Sequence, residues 1–221
     1  MADPRIVLIH ALRDSVAPAM AAMADGWPEA RVANLLDDSL SADLAARHGV
    51  IEESIVDRFV TLGRYARSTG ADGILFTCSA FGSAIDMVKA DLRLPVLKPN
   101  EAGLEAALAA GRRIALLATF PATIPSMTHE LETLARAQGV VPTIMTRVVD
   151  GALAALQAGD ARRHDDLIRE AARGFASADA ILLTQFSMAR AAEGFPPAER
   201  GRVLTTPASA VAKLRRLVDG A

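Results

Sequence analysis

Ala71-Asp72-Gly73-Ile74-Leu75-Phe76-Thr77-Cys78 is repeated further along the chain as Ala178-Asp179-Ala180-Ile181-Leu182-Leu183-Thr184-Gln185. Two more pairs keep almost the same offset. Arg5-Ile6-Val7-Leu8-Ile9 matches Arg113-Ile114-Ala115-Leu116-Leu117, and Val96-Leu97 matches Val203-Leu204, each pair standing just before a helical pattern. Three matches in register point to two similar halves. The mirrored positions Cys78 and Gln185 are then expected to meet at a site between the halves, with a thiol on one side only.

The runs inside these matches are short and continuously apolar, as strands of a parallel sheet covered on both faces must be. Strands are expected at 6–9, 32–36, 73–77, 114–118, 140–145, 180–184 and 203–205. Helical spacing lies between them. Ile55, Phe59, Leu62 and Ala66 recur on one face, with Gly70 as the stop. Asn100 is placed to cap a helix over 101–110 ended by Gly111, and Thr123 to cap one over 124–138 ended by Gly139. Further helices are expected to open at about Ser83 and to span 161–176 and 208–218. Strands alternating with such helices give an α/β fold of two pseudo-symmetric parallel-sheet halves, 1–98 and 99–205, with 206–221 packing back onto the first.

Composition narrows the function. The 221 residues are 51% hydrophobic, carry a net charge of −2 and are 4% aromatic, which gives a large core and no footprint for nucleic acid. No apolar run reaches the ~18–20 residues that cross a bilayer. The N-terminus enters a strand directly, without a signal-peptide layout. One cysteine allows no intramolecular disulfide. The expectation is a cytoplasmic protein with neither membrane nor nucleic-acid partner. No P-loop, no G-x-G-x-x-G after a strand, no G-x-S-x-G and no metal-ligand spacing occurs, so no cofactor or metal is expected.

Cys78 leads the residues that can do chemistry. It follows a strand and precedes a helix, at the sheet end where open α/β folds bind ligands. Amides at a helix start can lower a thiol's pKa toward neutrality. A small buried hydrophobe is the other reading. Thr77, Ser79, Thr119, Thr123, Thr184, Ser187, Thr205 and Thr206 all lie close after strands, able to hold a carboxylate or to do ordinary turn and cap work. His10 ends the first strand as a base within reach of the crevice or as a satisfied strand-end histidine. His48, His129 and His164 lie in charged stretches and read as surface residues. Phe81, Phe120 and Phe186, all after strands, suggest a partly apolar pocket. No lysine or arginine stands at a motif position.

These segments together resemble the aspartate/glutamate/hydantoin racemase superfamily, which also holds maleate isomerases and arylmalonate decarboxylases. The resemblance rests on Gly73–Ser79, on Arg113–Thr119, on Asp179–Thr184 and on Thr205-Thr206-Pro207-Ala208-Ser209-Ala210-Val211. It implies a cofactor-independent enzyme acting on a small carboxylate or hydantoin-like substrate, and a homodimer is what the family suggests. Family racemases carry one cysteine on each half, one taking the α-proton and the other delivering a proton to the opposite face. Cys78 matches the first, and the second falls at Gln185, whose amide has no useful pKa. A one-thiol decarboxylase and a carboxylate-binding protein without catalysis are the alternatives. Ser79, Thr119, Gln185, Ser187, Thr205 and Thr206 are the expected substrate contacts, with Cys78 and His10 as candidate proton carriers.

Overall fold

The computed structural model describes residues 3–121 and 123–220. The chain divides into two units, Met1–Pro99 with Ala210–Ala221 and Asn100–Ser209. The first half runs β1 (Arg5–His10), α1 (Val16–Gly26), β2 (Arg31–Leu36), α2 (Ser39–Ala46), α3 (Glu53–Ser68), β3 (Gly73–Phe76), α4 (Gly82–Asp91) and β4 (Val96–Leu97). The second runs α5 (Glu101–Ala110), β5 (Arg113–Ala118), α6 (Thr123–Ala137), β6 (Thr143–Val148), α7 (Ala152–Gln157), α8 (Ala161–Arg173), β7 (Ala180–Leu183), α9 (Pro197–Arg200) and β8 (Val203–Thr205). The closing helix α10 (Thr206–Asp219) contains the division.

The strand order is β2-β1-β3-β4 in one sheet and β6-β5-β7-β8 in the other, and every pair is parallel. The central strands β1, β3, β5 and β7 are buried almost throughout, while edge strands β2 and β6 are half-exposed. That is why the central runs are continuously apolar. Both units repeat the same side-chain clamp as well. The Asp72 carboxylate accepts from the Arg5 N–H at 2.7 Å, and Asp179 accepts from the Arg113 N–H at 2.9 Å. In the first unit Gly73 is pressed by α10, since a Cβ there would stand 3.0 Å from Val218 and 3.1 Å from Leu214.

Several boundaries differ from the sequence expectation. Strand β6 starts at Thr143, not at Val140, because the Val140 N–H closes the end of α6 on the Ala135 carbonyl and Gly139 takes a φ of 67°. Pro142 then has no N–H to give a ladder. Val96–Leu97 is a true strand, fixed by pairing with Ile74 and Leu75. Asn100 precedes α5 but makes no side-chain cap bond. The residue before Thr123, Ala122, lies outside the described residues, and Thr123 itself is the first helical residue. Gly70 does take the left-handed conformation after α3, at φ 83°. No helix among the described residues is long and apolar enough to cross a membrane.

Candidate functional site

In each sheet the chain reverses direction of growth beside its first strand, between β1 and β3 and again between β5 and β7. The residues at the carboxyl ends of those strands stand at the end of the sheet where open α/β folds bind ligands. In the first unit these are His10, Thr77 and Cys78. In the second they are Thr119, Thr184 and Gln185.

Cys78 is the residue before a single 3-10 turn, Ser79–Phe81, which leads into α4. The residue as a whole is half-buried. Burial pushes the thiol above its ordinary value, and the Ala80 N–H directed at Sγ offsets this only in part. The expected lowering by a helix start is therefore reversed. The tight turn aims one amide at the sulfur, and desolvation of the thiolate outweighs it.

His10 is 1% exposed, and both ring nitrogens are engaged. Nε2 lies 2.9 Å from Asn34 Oδ1, while Nδ1 lies 2.8 Å from Thr77 Oγ1 and 3.2 Å from Ser15 Oγ. An amide oxygen only accepts, so Nε2 carries the proton and Nδ1 takes a hydroxyl proton. Burial lowers the His10 pKa, with the Asn34 bond acting the other way. The ring therefore ties β1 and β2 to Thr77, the neighbour of Cys78. The second unit has Ala118 at the matching place, which has no ring nitrogen to build such a network.

There the switch point is bridged differently. Gln185 Oε1 accepts from the Thr119 N–H at 2.6 Å and from Thr119 Oγ1 at 3.0 Å. Thr119 is buried, so the donors expected to hold a carboxylate are spent within the unit. Thr184 donates its hydroxyl to the Leu117 carbonyl at 2.8 Å and does structural work. Ser79 and Ser187 are half-buried, as is Thr205 at the end of β8. Thr206 is fully buried, and its hydroxyl has no partner among the described residues.

Two further expectations are corrected. Phe81 is fully buried and packs on Phe59 with ring centroids 4.8 Å apart, and Phe186 is buried too, so only Phe120 shows its ring to solvent. His164 is a core residue at 0% exposure, with Nδ1 2.8 Å from Asp165 Oδ1. Its charged neighbours disguised it, but the α8 face carrying Ile168 and Ala172 turns it inward. Arg190 Nε completes the cluster by donating to Asp165 Oδ2 at 2.8 Å. A cation lies beside the first residue of α4. Lys98 Nζ pairs with Asp86 Oδ2 at 2.7 Å and would lie 3.8 Å from a Cβ on Gly82. The repeat held a signal for it, since Lys98 occupies the position that Thr205 has in the second half. Among the described residues no group of three or more His, Cys, Asp or Glu side chains could hold a metal ion.

The solved structures include close folds. An allantoin racemase from Klebsiella pneumoniae is 22% identical, with a TM-score of 0.75 over 98% of this chain and 88% of that one. An aspartate racemase from Picrophilus torridus is 16% identical, with a TM-score of 0.71 over 98% and 94%. An arylmalonate decarboxylase is 19% identical, with a TM-score of 0.66 over 99% and 94%. At these identities the likeness is one of fold. No curated protein sequence matches the chain. The family model for Asp/Glu/hydantoin racemases matches residues 14–214, nearly the whole chain. The protein belongs to the Asp/Glu/hydantoin racemase family.

Proposed function

We propose that this protein is a cofactor-independent enzyme that moves a proton at a carbon next to a carboxylate or carbonyl, with Cys78 as its one catalytic thiol. The observation that carries this reading is a half-buried cysteine at the switch point of a racemase-family sheet, mirrored by an amide that cannot carry a proton. In the racemase or isomerase form, the Cys78 thiolate takes the α-proton and the electron pair moves onto the adjacent carbonyl oxygen as an enolate. The thiol then returns a proton to the same face, which gives exchange. Inversion requires water to protonate the opposite face, its hydroxide then taking the thiol proton. Ser79, Ser187, Thr205 and Gln185 supply neutral hydrogen-bond donors to the substrate. Thr119 and Thr206 act from behind, and His10 holds the strand end that carries Cys78.

The raised thiol pKa favours a second reading. A thiol that is protonated at rest suits one-thiol decarboxylation. There the bond to the departing CO₂ breaks first, its electrons form an enediolate, and Cys78 gives that carbon a proton.

Proton NMR in D₂O separates these forms, using allantoin, hydantoin, aspartate, 2-aryl acids and arylmalonates with wild type beside Cys78→Ser. Deuterium entering the α position without loss of carbon, and lost in the variant, identifies the racemase or isomerase form. An α-deuterated monoacid growing in as a malonate disappears identifies the decarboxylase. No reaction across the panel would leave a carboxylate-binding protein.

A further inference from the structure

The Gln185 amide is held in one orientation. Both the N–H and the hydroxyl of Thr119 are directed at its Oε1. A flipped amide would set N–H against N–H, so Nε2 is forced to the far side of the group. There it makes no hydrogen bond with any described residue, on a side chain that is only half-buried. Two donors on a fixed frame are thus left without an acceptor at the carboxyl end of β7. The Ser187 hydroxyl on the following turn has no partner among the described residues either.

We infer that Gln185 determines specificity by presenting its Nε2 hydrogens to an acceptor oxygen of the substrate, a carboxylate or a ring carbonyl of hydantoin type. Thr119 is the positioning residue that sets this polarity. The inference rests on the proposed proton-transfer function and deepens it. The second half reads the substrate through a neutral donor pair and excludes a hydrogen-bond donor or a cation at that point. It also explains how a site can dispense with a thiol here and still hold its ligand, because a rigid donor needs no reorganisation on binding.

The test uses the ¹⁵N-labelled full chain, with the Gln185 side-chain NH₂ pair assigned by its absence in Gln185→Glu. Sodium phenylacetate and hydantoin are titrated separately. The expected result is a saturable downfield shift of that pair with one of the two probes, which names the acceptor. Gln185→Glu keeps an oxygen on Thr119 and sets a second acceptor where the donors were, so it weakens that probe roughly tenfold or more. Thr119→Val moves the Gln185 pair in the free protein, and Thr119→Ser restores it. If other cross-peaks report probe binding while the Gln185 pair stays still, the inference is wrong and the proposed function stands. If no cross-peak responds to either probe and no panel compound takes up deuterium, both fall together.

Discussion

Burial raises the Cys78 thiol, and this sets the sign of two pH effects. Activity that uses the thiolate as base climbs as pH rises toward the folded pKa, whereas activity that uses the thiol as acid is level at neutral pH and falls above it. The rate profile of the reacting substrate decides between them. Cys78→Ser lowers turnover about 10²- to 10⁴-fold in either form, since a serine hydroxyl is a far weaker acid than a thiol. His10 works the other way. Its folded pKa lies below its ordinary 6.5, so the neutral ring stabilises the first unit above that value. That stability is lost as pH falls from 6.5 through the lower folded value. Urea midpoints should therefore fall as the protein is acidified through this window. His10→Gln, which cannot titrate, should show a flatter dependence; an equally steep fall would place the titrating group elsewhere.

At the scale of the elements, α3 and α4 meet at Gly63. A Cβ there would stand 2.5 Å from Val88 Cγ1 and 3.4 Å from Leu92 Cδ1, and Val88 is fully buried. Alanine gains about 1 kcal/mol of helix propensity. Overpacking a fixed neighbour costs about 1–3 kcal/mol, so Gly63→Ala is expected to destabilise on balance. Gly201 is the control, with nothing within 4 Å of its Cβ position and a helical φ of −63°. Alanine there should stabilise by about 0.4–1 kcal/mol through the unfolded chain. Denaturant midpoints of the two variants should move in opposite directions. Elements of this kind were legible in the sequence because both periodicity and repeat report burial, as in β1, β3, β5 and β7. The start of β6 was not, because Val140 and Val141 are apolar yet belong to the exit of α6, and Val141 ends up 90% exposed. The site was legible in part. The repeat located Cys78 and Gln185, but the Thr119–Gln185 bridge and the Lys98–Asp86 pair join residues that only the tertiary fold brings together. His164 lies among charged residues in sequence, yet the helical phase it shares with Ile168 and Ala172 turns it inward.

Taken as a whole, the molecule is a duplicated sheet with a thiol in one copy only. A lone acid/base gives a proton back to the face from which it took it. Wild type acting on one enantiomer of a true substrate should therefore exchange the α-proton for deuterium faster than it inverts the centre. NMR for deuterium content and chiral chromatography on the same samples measure the two rates. Gln185→Cys places a thiol in each half, and inversion should then rise relative to exchange. The change also removes the acceptor from the Thr119 N–H and hydroxyl. A buried donor left unpaired costs about 1–3 kcal/mol, so the variant should melt earlier even as it gains inversion. The two effects have separate origins and can be told apart with Gln185→Ala. This substitution removes the same acceptor and adds no acid, so it should share the lower melting point without the inversion. Inversion by wild type as fast as its exchange would mean that a second proton carrier already serves the opposite face, and the one-thiol reading would fail.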